Sequence, residues 1–290
     1  MEDYECVSEP VLNKDVEKWI AQHFASGSSI AQASPDCQVT RSAIEYHRRH
    51  HLYQRFHNLL SDITLAKAAL CLKDLHTMHI YQNDTIEYLV DYILETVCNN
   101  PCSLLAYARL CQEIMKECRR VSSRPPFYQI LTSKCQLAFD KKILRYTERR
   151  LKEFDIKRCS DPSRVKCLKI HLEIYDTMLR RKYQYLIQFI GELYQFNNLT
   201  DDFVISCLCG LLDRADDESF ECICTLLKIT GKTLEEHNYD LSQIFYRMDK
   251  IIDDNRGSIS CAVWRIVQDV FNLRGSRWMV DTDQVEGVQK

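Results

Sequence analysis

The chain has 290 residues, enough for one large domain or two small ones with a sizeable core. Seven glycines and six prolines are few for this length, and their scarcity favours long helices over a turn-rich all-β fold. The formal net charge of -3 excludes a basic nucleic-acid surface that covers the whole chain, so any RNA contact must be local.

Targeting signals are not evident in the sequence. No apolar run approaches the roughly 18 residues that span a bilayer, and the acidic, polar N-terminus is unlike a secretory signal peptide. We therefore expect a cytoplasmic protein without membrane contact, whose cysteines are reduced. The 15 cysteines lie along apparent helix faces and form no C-x-x-C pair, which favours buried thiols over a zinc site.

The N-terminal part of the chain differs from the rest. Residues 1–43 are predicted to be largely disordered, with a short helix over 11–24 and a Ser-, Gly- and Ala-rich linker over 25–40. From there to about residue 275 the apolar residues recur with a period near 3.6, which is typical of amphipathic helices. We predict one domain over 44–280 and a disordered tail over 281–290.

The breaks between these helices have the residue types of helix ends. Thr200 and Asp216 precede acidic first turns and are predicted N-caps. Asn100-Pro101 and Pro125-Pro126 mark two helix starts, and Gly231 is placed at a helix C-terminus. About ten helices with one apolar stripe each must stack in pairs. We therefore predict an all-α fold, an α-solenoid of about five antiparallel helix pairs of the HEAT type, with an irregular bundle as the alternative.

Motifs for catalysis are weak. Gly231-Lys232-Thr233 matches the end of a phosphate-binding loop, but the first glycine of that loop is missing and no strand precedes it. His47 and His51 have metal-chelating spacing on a helix, yet arginines surround them and no acid or thiol is near, so a solvated basic face is favoured. The sequence predicts no enzyme, no cofactor and no metal site.

A basic stretch is the clearest charge feature. Residues 140–169 hold eleven Lys or Arg and five Asp or Glu, and Arg180, Arg181 and Lys182 continue it. Such a stripe attracts phosphates, although a solvated helix face is the alternative. The residues that we predict to bind RNA are Lys141, Lys142, Arg145, Arg149, Arg150, Lys166, Lys169, Arg180, Arg181 and Lys182. Residues 201–290 are acidic and are not expected on RNA.

Four segments of the second half resemble a known family. They read FIGELY at 189–194, DESFECIC at 217–224, MDKII at 248–252 and QDVFNLRG at 268–275, and Trp278 follows. In this order they are similar to the middle domain of translation initiation factor 4 gamma, and weaker similarity extends the match to about 50–280. We expect Phe189, Leu193, Phe220 and Ile223 in the core, a close helix approach at Gly191, and Trp278 folded back over the last pair.

The resemblance implies a function. The family's middle domain forms five helix pairs, binds the DEAD-box RNA helicase called initiation factor 4A, and contacts mRNA. A scaffold that stimulates or regulates translation initiation, with other initiation factors as further partners, is therefore expected. By the same resemblance, the residues expected to bind the helicase are Ile63, Thr64, Leu65, Leu273, Arg274 and Trp278.

The sequence departs from the family at two points, and the first of them favours another hypothesis. The family's helicase-contacting turn reads Leu-Thr-Pro with a Phe three residues on, whereas this chain has Ile63-Thr64-Leu65 and Ala68. A Tyr-x-x-x-x-Leu-apolar motif for the cap-binding protein is also missing. The alternative hypothesis is an adaptor in mRNA decay or poly(A)-linked translational regulation that has lost helicase binding.

Overall fold

The computed structural model describes residues 38–81, 85–120, 127–140, 142–254 and 259–279; within these, the side chains of 38–43 and 142–148 are not described. The predictions for residues 1–37, Pro125-Pro126 and the tail lie outside this part. The chain divides into two units, residues 1–55 and 56–290. The first described helix begins at Gln38, inside the predicted linker, and the domain limits at 44 and 280 stay a prediction.

Helices account for nearly all of the described residues, and no strand is among them. The described part of the chain contains eleven α-helices: α1 Gln38–Leu60, α2 Ala68–Thr77, α3 Thr85–Asn99, α4 Leu104–Arg120, α5 Phe127–Asp140, α6 Lys142–Arg158, α7 Pro162–Gln195, α8 Asp201–Leu212, α9 Asp217–Glu236, α10 Ser242–Asp254 and α11 Cys261–Gly275. A short 3-10 helix at Pro101–Ser103 precedes α4. The all-α prediction is confirmed.

The helices of the second unit pack in repeating order. Helix α2 packs on α4, α4 on α7, α7 on α9 and α9 on α11, so one row of helices runs through the unit. Members of the other row pack in the same way, α3 on α5 and α8 on α10, and the two rows meet in pairs such as α3 with α4 and α8 with α9. In a HEAT-type solenoid each helix pair packs on the next one, and these helices pack in that order, as predicted. Helix α6 is an addition to the third pair, which α5 and α7 form.

The predicted N-caps are present. The Thr200 hydroxyl accepts a hydrogen bond from the Phe203 backbone N at 3.4 Å, and the Asp216 carboxylate accepts one from the Ser219 N at 2.7 Å. Asn100 accepts from the Cys102 N at 3.2 Å, directly before Pro101. Each cap satisfies a backbone donor that the first turn of a helix leaves free, so the local sequence sets where these helices begin.

The placement of Gly231 at a helix C-terminus is wrong. Gly231 lies within α9, five residues before its end. A Cβ at this position would lie 2.5 Å from Cζ2 of Trp278, so the missing side chain makes room for an indole ring rather than for a left-handed turn. At Gly191 the prediction is confirmed, because a Cβ there would lie 2.9 Å from Cγ2 of Ile229 on α9.

The core lies between the two rows of helices. Phe189, Leu193, Phe220 and Ile223 are completely buried, as the sequence predicts. Several cysteines also serve as core residues. Burial raises the pKa of the Cys111, Cys207 and Cys224 thiols to about 12, which keeps them protonated and unreactive at neutral pH.

Among the described residues, no three His, Cys, Asp or Glu side chains come together in a group able to hold a metal ion. None of the described helices combines the length and apolar character that crossing a bilayer requires.

Candidate partner-binding surfaces

The turn between α1 and α2 carries the first predicted helicase contact. Ile63 is buried, whereas Leu65 is 51% exposed. The Thr64 hydroxyl and carbonyl oxygens both accept from the Lys67 backbone N, at 3.3 and 3.0 Å. These bonds fix the turn from within, so it presents Leu65 to solvent on a backbone that is already ordered.

Ala68, where the family has an aromatic residue, is fully buried at the start of α2. An aromatic side chain at this position would have to displace neighbouring core side chains. The surface around the α1–α2 turn therefore has no aromatic residue from position 68. The large apolar side chains exposed in this region are Leu65 and Leu70, and Leu70 is 57% exposed. Leu70 was not predicted from the sequence. Leu65 lies in the turn and Leu70 in α2, so the two residues do not share a helical period that would place them on one face.

The second predicted helicase contact forms a cluster that we call the C-terminal clasp, made of Gly231, Glu235, Phe245, Arg274 and Trp278. The Trp278 indole N donates to Glu235 Oε2 at 2.6 Å, and Arg274 Nε donates to Glu235 Oε1 at 2.7 Å. Both carboxylate oxygens are thus used within the domain. The clasp ties α11 and its trailing segment to α9, and Trp278 does fold back over the last pair.

The clasp also has an aromatic layer. The Arg274 guanidinium lies 4.5 Å from the centre of the Phe245 ring, and the Phe245 and Trp278 rings are 6.4 Å apart in an edge-to-face arrangement. Leu273 is half-buried, and its carbonyl accepts from the Trp278 backbone N at 2.7 Å. The side chains of Arg274 and Trp278 therefore already contact other residues of the domain. A partner at this surface would contact the parts of these two side chains that remain exposed, together with the exposed Met279.

The basic stretch folds as a helical hairpin, which we call the basic hairpin: α6 and residues 162–182 of α7. Arg149 pairs with Asp176 at 3.3 Å across the hairpin and with Glu153 along α6. The Lys152 ammonium lies 4.7 Å from the centre of the Tyr175 ring. No residue from 162 to 182 is buried, and burial on α7 begins at Tyr183. The hairpin is therefore held by contacts between its own two helices and extends away from the core.

The predicted RNA-binding residues differ in their exposure and in their contacts. Lys166, Lys169 and Arg181 are exposed on α7. Arg149 and Arg180 are already held by carboxylates of the domain. Lys182 is half-buried and Arg150 is exposed. The side chains of Lys141, Lys142 and Arg145 lie outside the described part.

Polar contacts at the base of the hairpin connect α7 to the repeats. Arg180 and Gln184 of α7 both donate to the Glu221 carboxylate of α9, Arg180 Nε at 3.2 Å and Gln184 Nε2 at 2.8 Å. The hydrogen bond to Glu221 raises the pKa of Arg180, which remains charged. Tyr183, which lies between Arg180 and Gln184 in the chain, accepts a hydrogen bond at its hydroxyl from Arg214 Nη1 at 2.7 Å. These bonds fix the direction in which the hairpin leaves the domain.

The packing of helix pairs in two rows defines a HEAT-type helical repeat domain. The MIF4G domain family matches residues 55–276, and the chain belongs to this family. The resemblance that the sequence motifs carry is therefore confirmed, and the match ends beside the C-terminal clasp.

Several translation factors are similar to this chain. Mus musculus eukaryotic translation initiation factor 4 gamma 1 is 29% identical over 236 residues, which are 79% of this chain and 14% of that protein. Homo sapiens eukaryotic translation initiation factor 4 gamma 3 is 26% identical over 234 residues, 79% of this chain and 15% of that protein. The Dictyostelium discoideum factor 4 gamma is 34% identical over 105 residues, 34% of this chain and 8% of that protein. The chain thus spans about a seventh of the length of the first two relatives.

Proposed function

We propose that this chain is a non-catalytic scaffold of translation initiation, which binds a DEAD-box RNA helicase of the initiation factor 4A type and mRNA in the cytoplasm. Membership of the MIF4G family and similarity to factor 4 gamma proteins over 79% of the chain support it. Such a scaffold acts by holding its partner in a particular arrangement. Holding the two lobes of a helicase near their closed arrangement shifts a conformational population and needs no chemistry from the scaffold.

For the helicase, the proposal uses the α1–α2 turn and the C-terminal clasp. The single observation that carries it is Leu65, a half-exposed aliphatic side chain on a turn that Thr64 fixes from within. An ordered apolar projection loses little conformational entropy on binding, which suits an interface anchor. Leu273, Arg274 and Trp278 supply the second contact from a segment that Glu235 holds in place.

For mRNA, the proposal uses the basic hairpin. Lys166, Lys169 and Arg181 are exposed and have no ion-pair partner among the described residues. Their charges can attract phosphates and release counterions, which predicts binding that weakens steeply with salt and shows little sequence preference.

A second candidate function is an adaptor in mRNA decay or poly(A)-linked regulation. Ala68 favours it, because the position is completely buried and offers no aromatic anchor to a helicase. On this reading the repeats and the hairpin bind other partners, and the α1–α2 turn has lost its original one.

One experiment separates the two. The whole chain is titrated into a purified 4A-type helicase with ATP and RNA, and both the Kd and the ATPase rate are measured. We expect binding and faster ATP turnover, and a loss of at least tenfold in affinity for Leu65→Glu. Leu137→Glu is the matched control, since Leu137 is 53% exposed on α5 and should bind unchanged. A folded chain that does not bind at high concentration would favour the adaptor.

The RNA contact has its own test. The double variant Lys166→Glu/Lys169→Glu should lose affinity for a single-stranded RNA oligomer and keep the helicase. The control, Lys228→Glu/Lys250→Glu, makes the same change of charge at exposed lysines of α9 and α10. Equal losses in both double variants would mean that RNA responds only to the net charge of the chain.

A further inference from the structure

The outward face of the basic hairpin carries an apolar stripe. Ile170, Ile174 and Met178 of α7 are 47%, 54% and 50% exposed and recur every four residues. At 100° per residue and a rise of 1.5 Å they form a continuous ridge about 12 Å long. Cys167 lies on the same side and is also exposed.

This stripe takes no part in closing the hairpin. A second apolar series on α7 is half-buried and faces α6, through the contacts of Tyr175 and Asp176 with α6; it consists of Val165, Leu168, Leu172, Tyr175 and Leu179. The outward stripe lies roughly 140° further around the helix. The first half of α7 is therefore apolar on two sides, and only one of them is covered within the described residues. A surface helix usually has a single apolar face, which packs against the rest of the protein. A second, exposed apolar face therefore indicates that a further binding partner covers it.

Charge indicates the kind of occupant. Lys166 borders the stripe on one side, Arg164 and Lys182 border it on the other, and Arg181 lies within it. Residues 162–182 contain six Lys or Arg and only two carboxylates: Asp176 is already paired with Arg149, and Glu173 is exposed on the same border as Lys166. The borders therefore carry a net positive charge. An apolar ridge between basic borders is complementary to a helix whose apolar face lies between acidic borders. A second copy of this chain would bring basic borders against basic borders, and these would repel each other.

The side chains themselves favour a protein over RNA at this face. Single-stranded RNA is held by stacking of bases on aromatic rings or guanidinium planes, and by charge. Arg181 and the basic borders can attract phosphates, but Ile170, Ile174 and Met178 offer a base neither a ring nor a charge. Branched and thioether side chains at a spacing of four residues fit the grooves of another helix instead.

We propose that the outward stripe of α7 docks an acidic amphipathic helix of a protein partner. This surface is separate from the α1–α2 turn and from the C-terminal clasp, so the inference holds whether or not the chain binds a helicase. Its charged residues Lys166 and Arg181 also belong to the surface proposed for mRNA, whereas the apolar ridge does not. The apolar ridge supplies the affinity, and the basic borders select an acidic partner and set its direction.

The test uses the whole chain and three probes. The first is a designed amphipathic peptide with leucines at helical spacing and glutamates on both borders; the second has the same leucines and lysines instead of glutamates; the third is a 20-nucleotide single-stranded RNA. The variant is the triple substitution I170A/I174A/M178A. Alanine favours helix, and the three side chains are half-exposed, so the fold is retained. Leu137→Ala is the control for loss of an exposed aliphatic side chain elsewhere.

We expect the acidic peptide to bind the wild type and the control equally, and the triple variant at least tenfold more weakly. The lysine peptide should not bind, and the affinity for RNA should be the same in all three proteins. Three results would overturn the proposal: equal acidic-peptide binding by the triple variant, equal binding of the acidic and lysine peptides, or loss of RNA binding in the triple variant. Self-association that the triple substitution abolishes would likewise assign the stripe to a second copy.

Discussion

The contact between Trp278 and Gly231 predicts an unusual response to Gly231→Ala. In the interior of an exposed helix this substitution stabilises by about 1 kcal/mol. Here the new Cβ would lie 2.5 Å from Cζ2 and 2.6 Å from Cζ3 of Trp278, so the indole must leave. The ring would lose its hydrogen bond to the Glu235 carboxylate, about 1.5–3 kcal/mol, and part of its apolar burial, about 1–2 kcal/mol. We expect a net destabilisation of about 2 kcal/mol.

A double-mutant cycle tests the cause of this loss. With Trp278→Ala the obstacle is gone, and Gly231→Ala should then stabilise by about 1 kcal/mol. The two substitutions are therefore coupled by about 3 kcal/mol, and the sign of the alanine effect reverses between the backgrounds. Urea unfolding followed by far-UV circular dichroism measures all four proteins. If Gly231→Ala stabilises in both backgrounds, the indole does not lie on Gly231 in solution and the account of the C-terminal clasp fails.

Other positions give further predictions. Gly191→Ala should destabilise by about 1–2 kcal/mol in urea unfolding, since the new Cβ would overlap a side chain of α9. Asn198 is buried and donates to the Ala108 carbonyl at 2.9 Å, so Asn198→Asp should cost about 3 kcal/mol at pH 7 and less in acid, where the new carboxyl is neutral; a constant cost would contradict this. Burial opposes the charge of Asp201, but hydrogen bonds from His237 and Tyr194 outweigh it and lower the pKa of Asp201. The wild type should therefore exceed Asp201→Asn in stability above about pH 4, by less than about 1 kcal/mol, with the difference fading as pH falls further.

The apolar period and the helix caps could be read directly from the sequence. Both depend on residues a few positions apart, and such short-range chemistry acts the same way wherever the helix finally packs. Thr200 and Asp216 cap their helices for this reason, and the core positions of α7 and α9 follow from a 3.6-residue period. The family motifs also predicted the order of the helix pairs, because the resemblance extends over the whole domain and not over a single helix.

The tertiary structure decided features that short-range sequence patterns could not predict. Gly231 follows the sequence pattern of a helix end, yet it lies inside α9, where the indole of Trp278 from beyond the last helix occupies the space over it. Ala68 departs from the family pattern in sequence, and only the folded structure shows that its side chain is fully buried. The two apolar series of α7 are alike in sequence, and only packing against α6 shows which one is covered and which faces solvent. Sequence thus determined where helices form and which side chains are apolar. Which of those side chains stay exposed depends on residues distant in the chain, and only the folded structure brings these together.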